Sequence, residues 1–401
     1  MLDIVKRHTR RTQKVIQPRK DTSSLYITGL GGQYPDVIYK ADDLEHVVRS
    51  LCSSHVESPG IKKLLAINQS SGISERASVC KVSDLSNPLL DPPPIDELSR
   101  VFRTLGVDLT VSACEKALLE ARLSPADITH TVGVTCTDAG NPGYDHLVSQ
   151  KLKLRPDVDR VLLHGVGCAG GLSALRVAAS LAAGATQRGR PARILIFACE
   201  LCTIHTRCDL SHACENGGEA SIAHALFSDA AAAIVLCNDI GLSAKSQPIY
   251  ELLDWGNMIL PGTSQYMSFF TDPKGFKVTL TKEVPQKVVE VIKPMFERVR
   301  PSLTSKKEEG IYGSLEASDC DWALHPGGTA ILKGAQAVLN LSEDQLRASW
   351  EVYRTRGNSS SPTVLLVLDK LRHMGEGRDK VVAMSFGPGL AIEAATMRRC
   401  R

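Results

Sequence analysis

Cys168 sits in GVGCAGG, residues 165–171, where a short apolar run gives way to glycines and a small-residue helix begins. Small flanking residues permit a sharp strand-to-helix turn that presents the thiol at a helix N-terminus. Free N–H groups and the helix macrodipole there favour thiolate over thiol. The arrangement is the cysteine counterpart of a nucleophile elbow. The competing reading is an inert cysteine buried in a packing turn. A thiolate nucleophile needs a cation or base beside it and donors for an oxyanion. His325, in ALHPGGTAIL, follows an apolar strand and precedes a helix, and Asn358, in RGNSSSPTVLLVLD, precedes another helix. An imidazole and a carboxamide of this kind fit acyl-thioester chemistry, provided that distant parts of the chain pack face to face. Taken singly, the histidine could cap its helix and the asparagine could serve a turn.

A rival constellation lies in CELCTIHTRCDLSHAC, where Cys199, Cys202, Cys208 and Cys214 with His205 and His212 could close on zinc. The favoured alternative is a set of thiols lining a cavity at the end of a strand. A phosphate-binding reading of GVGCAGG fails, because the Lys-Ser/Thr of a P-loop and the acidic partner of a dinucleotide fold are both missing.

The elements that must carry these residues alternate. The apolar pattern predicts strands over 25–30, 129–136, 161–163, 193–198, 230–236 and 381–385. It predicts helices near 44–51, over 110–122, from the GVGCAGG turn to about residue 184, and over 285–299, 330–339 and 363–372. NPLLDPPP, residues 87–94, must be a loop, since three successive prolines remove backbone donors. Two similar alternating halves imply an α/β fold with sites at the carboxyl ends of strands.

At 401 residues, with 43% hydrophobic and 23% charged side chains, the chain exceeds one ordinary core and is not a disordered or low-complexity protein. Formal charge is +3, but Lys6, Arg7, Arg10, Arg11, Lys14, Arg19 and Lys20 crowd the first residues, which leaves the body net acidic. With only 5% aromatics and no basic stripe, no nucleic-acid partner is expected. The arm, 1–24, lacks the apolar core of a secretory signal. It is expected to be a solvated tail, with a transit peptide or an arm drawn to anionic lipid as alternatives. No apolar run reaches the roughly 18 residues of a membrane span. The 12 cysteines without a secretory signal point to a reducing compartment, by default the cytoplasm.

Together these motifs resemble the type III polyketide synthases of the chalcone synthase superfamily. GCAGG at Cys168, ALFSDAAAAIV at Phe227, LHPGG at His325, GNSSSPTVLLVLD at Asn358 and SFGPGL near the C-terminus occur in the family's order, over about residues 25–397. The resemblance implies a thiolase-like layered αβαβα fold of two pseudo-duplicated halves, 25–245 and 246–401, in a homodimer. It implies iterative decarboxylative condensation of malonyl-CoA onto an acyl-CoA starter held on Cys168, with His325 and Asn358 as catalytic partners and no cofactor beyond the CoA thioesters. Phe227 matches the family's gatekeeper, and Ser360 and Gly387 fall in matching loops. Elsewhere the chain departs from plant members. Val278 replaces a second gatekeeper phenylalanine, Cys202, His205 and Cys136 replace cavity threonines, and Asn141 stands where a methionine reaches into the partner's cavity. Of the CoA-binding basic cluster, Lys63 falls in place. These departures point to a fatty acyl starter and to a pyrone, resorcinol or resorcylic acid product. A ketoacyl synthase III-like single-round enzyme and a chalcone-type enzyme with an aromatic starter are the alternatives.

Overall fold

The computed structural model describes residues 24–215, 221–273, 275–304 and 315–401. Apart from Ser24, the basic arm therefore lies outside the described residues. The strands in chain order are β1 (Leu25–Gln33), β2 (Val37–Lys40), β3 (Glu75–Ser78), β4 (His130–Val134), β5 (Asp159–Leu163), β6 (Arg193–Leu201), β7 (Asp229–Asn238), β8 (Tyr250–Ile259), β9 (Met267–Asp272), β10 (Gly275–Leu280), β11 (Asp321–Leu324), β12 (Lys380–Gly387) and β13 (Ala391–Arg399). Nine of them form one sheet in the order β11-β12-β13-β8-β1-β7-β6-β4-β5, and β2-β3 and β9-β10 stand apart as pairs.

The sheet repeats itself about a seam where Leu25 to Ile27 of β1 meet Tyr250 to Leu252 of β8. Outwards from the seam, β1 is antiparallel to β7, β7 is antiparallel to β6, and β6 is parallel to β4. On the other side β8, β13, β12 and β11 follow the same sequence of orientations. β6 and β7 read as nearly continuous apolar runs because both faces of each are covered.

Two helices, Gly170–Gln187 and Thr363–Arg372, lie in the middle, packed against Val132, Ile194 and Ala232 of one half-sheet and Ala323, Val381 and Ala395 of the other. Outside the first half-sheet, the helix Val107–Ala121 covers Leu195, Phe197 and Val235. Outside the second, Val284–Val299 and Thr329–Leu339 cover Trp322, Val382 and Ala394. The result is five layers, αβαβα, with the central helices shared by both halves. Residues Gly167–Gln187 are long and apolar enough to cross a membrane, but most of this segment is buried in the core.

The central helices meet closely. A Cβ on Gly171 would stand 2.5 Å from the Ser361 carbonyl oxygen and 3.0 Å from Val364 Cγ1, so a side chain there would drive the helices apart. Arg176 on the first helix donates from Nε and Nη2 to the two oxygens of Glu393 on β13, each at 2.9 Å, and Ser173 Oγ adds a third bond at 2.9 Å. This paired fork fixes the first half's helix on the second half's sheet.

Every strand and helix expected from the apolar pattern forms, with ends moved by a few residues. The sequence pattern did not show β8, β13, the hairpin β9-β10 or the helix Thr206–Glu215. β13, AIEAATMRR, is alanine-rich and has weak strand propensity, and pairing with β12 on one side and β8 on the other overrides it.

At the start of β11, the fully buried carboxylate of Asp321 accepts hydrogen bonds from Arg347 at 2.7 and 2.9 Å, from Arg378 at 3.1 Å and from Arg399 at 2.8 Å. Burial alone would raise its pKa, but the Arg347 and Arg399 hydrogen bonds outweigh burial and hold it at about 2. Because the folded pKa is depressed, this stabilisation is complete above the unfolded value of about 3.9 and fades as pH falls through about 2. Asp321→Asn is expected to destabilise the fold by about 3–5 kcal/mol at neutral pH, since it strands buried arginines. Denaturant titrations should show that deficit shrinking below about pH 4; a deficit independent of pH would show that the carboxylate's charge is not what stabilises.

Candidate active site

The residues singled out for chemistry are delivered by turns from both halves to one cavity of about 320 Å³. β5 ends at Leu163, and the chain passes through Gly165 and Gly167, both at positive φ, with Gly167 opening the short helical turn Gly167–Ala169 that carries Cys168. The opposite wall comes from the second half. Asn358 is clamped between Leu226 and Ser228: its N–H donates to the Leu226 carbonyl and its carbonyl accepts from Ser228 N, each at 2.9 Å. A short parallel bridge thereby places Phe227 beside Asn358. His325 follows β11 and is pinned by its own N–H to the Met384 carbonyl at 2.8 Å.

The orientation of the Asn358 amide follows from its neighbours. Its Oδ1 accepts from Ser360 N at 2.8 Å and from Thr363 Oγ1 at 3.4 Å. The Nδ2 donors are thus left for the cavity, and the amide bonds the Cys168 sulfur. Ser360 is held in the left-handed region at φ 56°, an uncommon conformation for serine, and it receives the Cys168 thiol on Oγ at 3.2 Å.

The electrostatics differ from the expected resting thiolate beside a protonated imidazole. Burial raises the Cys168 thiol to about 11, with the charge of Glu200 adding to it and the Ser360 and Asn358 hydrogen bonds opposing it. Burial likewise lowers His325 to about 3, and its Nδ1 has no partner. The helix N-terminus is real, but desolvation outweighs it, so at neutral pH the pair consists of a thiol and a neutral imidazole.

Glu200, at the end of β6, lies fully buried beneath the site. It accepts from the Cys136 N–H at 3.0 and 3.1 Å, from Thr137 N at 3.1 Å and Oγ1 at 2.8 Å, and from Ser361 Oγ at 2.6 Å. Burial raises its pKa, and these donors oppose the rise.

Besides Cys168, His325 and Asn358, the cavity is lined by Phe227, Val278, Cys202, His205, Cys136 and Ser360 from the sequence-derived set. Three others stand away from it. Gly387 is packed under the nucleophile turn, where a Cβ would come within 2.4 Å of the Val166 carbonyl oxygen, while its neighbours Phe386 and Pro388 form the wall. Lys63 is exposed on the helix Pro59–Ser70, whose far end supplies Ile67 and Ser70 to the cavity. Asn141 is exposed on the loop after β4 and does not reach its own chain's cavity.

The thiols weighed for zinc turn to different partners. Cys199 Sγ faces the Gly106 carbonyl, Cys208 the Pro93 carbonyl and Cys214 the Cys52 sulfur, while Cys202 lines the cavity. The sequence reading missed a pair on the cavity wall, His224 Nε2 and Asp209 Oδ2, 2.6 Å apart. Spacing along the chain gave no signal for it, because the two residues lie 15 positions apart and meet only in the folded chain. The sequence reading placed Val278 at the cavity but missed the hairpin β9-β10 that carries it and Phe269, its cross-strand partner over the site.

Comparison with known proteins agrees with this architecture. Residues 35–240 match the N-terminal domain model of the chalcone and stilbene synthases, and residues 252–400 match the C-terminal one. A type III polyketide synthase, pspB, of Penicillium soppii is 53% identical over 94% of this chain and 96% of its own length. The acylalkylpyrone synthase csyB of Aspergillus oryzae is 36% identical, with 94% of each chain covered. A crystal structure of the fungal type III polyketide synthase ORAS superposes with a TM-score of 0.88 at 41% identity, covering 94% of this chain and 100% of that one. The chain belongs to the chalcone and stilbene synthase family and is a type III polyketide synthase.

Proposed function

We propose that the enzyme loads an acyl group from acyl-CoA onto Cys168, extends it with malonyl-CoA by repeated decarboxylative Claisen condensation, and releases it by cyclisation. The observation that carries this reading is that Cys168, His325 and Asn358, from two halves of the chain, open into one cavity. In loading, neutral His325 takes the thiol proton as the Cys168 sulfur attacks the starter thioester, and the departing CoA sulfur takes that proton. In extension, the malonyl carbon–carboxyl bond breaks, carbon dioxide leaves, and the electron pair becomes an enolate. Its oxygen is held by the Asn358 Nδ2 donors and a His325 N–H. The enolate carbon then attacks the Cys168 thioester carbonyl, the carbon–sulfur bond to Cys168 breaks, and the lengthened chain is left on the extender's CoA. The freed Cys168 thiolate takes the chain back for the next round as that CoA sulfur departs and is protonated.

A fatty acyl starter and an alkylpyrone or alkylresorcinol-type product are supported by the apolar wall of Ile67, Leu226, Met267, Phe269 and Leu280, and by the relative that makes acylalkylpyrones. A relative solved with CoA-SH, CsyB, supports CoA thioesters as substrates. His205 presents two buried ring nitrogens without partners to the cavity, so it suits an oxygen of the growing chain. The halves 25–245 and 246–401 act as one unit. A homodimer in which Asn141 reaches the partner's cavity accounts for the exposure of that residue, and twelve free cysteines accord with the cytoplasm.

Labelled acyl-CoA should label Cys168 alone, and acylation persisting in Cys168→Ala would sink the assignment. Alkylation of Cys168 in the free enzyme should keep rising to about pH 10, because its thiol is raised to about 11; a plateau near neutrality would show a resting thiolate instead. Asn358→Ala should slow malonyl-CoA decarboxylation by about 100 to 1000-fold while starter loading falls far less. Equal loss of both steps would assign Asn358 a purely structural role. Val278→Phe should shift preference towards short starters, since each methylene accommodated is worth about 0.8 kcal/mol. An unchanged chain-length profile, measured by mass spectrometry of products across an acyl-CoA series, would remove Val278 from the specificity wall.

A further inference from the structure

Arg76, on β3, is a charged side chain in the interior with 2% of its surface exposed. One guanidinium nitrogen, Nη2, donates to the Ala225 carbonyl, whereas Nε and Nη1 have no partner. Among the described residues no carboxylate pairs with it. Asp209 is taken by His224, and Asp229 by the Thr203 hydroxyl and the Val79 amide. Burial pulls the Arg76 pKa down to about 10, and the only opposing influence is Tyr353, whose hydroxyl is itself kept protonated by burial. The contrast with Asp321, where buried charges are matched, is sharp. A buried cation left without a counter-charge is among the most unfavourable features a fold can carry.

Arg76 lines a second, small cavity of about 20 Å³, together with Tyr39, Thr206, His224 and Phe227. Phe227 and His224 also border the main cavity, so the small one lies directly behind that wall. Its volume is that of about one water-sized occupant. A phosphate or carboxylate is too large. Water would satisfy the N–H groups but leave the charge unmatched, whereas a monatomic anion does both; the Thr206 hydroxyl on the same lining is engaged with His224 Nδ1 at 3.4 Å.

We infer that the cavity behind Phe227 is a halide site, in which a buried chloride serves as the counter-ion of Arg76. The site is coupled to the reactive end through the backbone. Arg76 anchors the Ala225 carbonyl, the next residue Leu226 accepts the Asn358 N–H, and the Arg76 Cγ stands 3.6 Å from where a Cβ on Gly357 would lie. Anion occupancy therefore steadies the bridge that holds Asn358.

Bromide-soaked crystals of the full chain are expected to show an anomalous peak within contact distance of Arg76 Nε or Nη1. Thermal unfolding at equal ionic strength and pH should give a Tm about 1–3 °C higher in chloride or bromide than in gluconate. Arg76→Met should abolish both effects. If that variant does not fold, the bromide map and the wild-type halide series decide without it. A cavity that holds only water, or equal Tm values in chloride and gluconate, overturns the inference. A bromide peak without any Tm difference marks an adventitious ion only and overturns it as well.

Discussion

The active site depends on a carboxylate that does no chemistry of its own. Glu200 ends β6 with no solvent around it, and its oxygens are met by donors from both halves: the Cys136 and Thr137 amides from the first and the Ser361 hydroxyl from the second. A buried carboxylate with too few donors would take up a proton or disrupt its surroundings. The loop after β4 and the turn before the helix Thr363–Arg372 must therefore converge on it. That convergence sets Ser360 beside Cys168 and brings the Asn358 amide within reach of the sulfur. The close approach at Gly171 and the Arg176–Glu393 fork press the same two halves together a few residues further along the nucleophile helix.

Burial of the site has a second consequence. The same desolvation raises the Cys168 thiol and lowers His325, so both reacting groups rest uncharged. Charge then appears only as bonds change, first at the sulfur and later at the enolate oxygen, where the Asn358 donors are already aimed.

Much of this was legible in the sequence because the reactive turns are punctuated by glycine and bordered by continuous apolar strands. GVGCAGG and LHPGG announce strand-to-turn junctions by composition alone, and GNSSSP marks the turn between two helices that carries Asn358. What was not legible depends on neighbours far along the chain. β13 reads locally as a helix former and becomes a strand only between β12 and β8. In β9, Phe269 and Phe270 are adjacent, and Phe270 is 68% exposed, so apolar alternation gives no strand signal there. The charge state of Cys168 was misjudged for the same reason. A helix N-terminus is visible in a sequence, but the depth at which the fold buries it is not.

Chain selection and bond chemistry are carried by different elements, which explains how the fold can change one without the other. The reactive groups sit on turns locked by Glu200, by the Phe227–Asn358 bridge and by the Met384 carbonyl that holds His325. The opposite wall is the two-stranded pair β9-β10, outside the main sheet, with Val278 and Phe269 facing the cavity and Phe269 stacked on Phe276 at 4.5 Å. His205 leans edge-on against that stack, 4.9 Å from Phe276, so it shares the hairpin's packing rather than the catalytic network. A substitution at Val278 or His205 reshapes the space beyond the thioester while leaving the hydrogen bonds of Ser360, Asn358 and Glu200 intact. Within this architecture, differences in starter are therefore to be sought on the hairpin and on the segment that faces it, and differences in reaction type at the turns that Glu200 gathers.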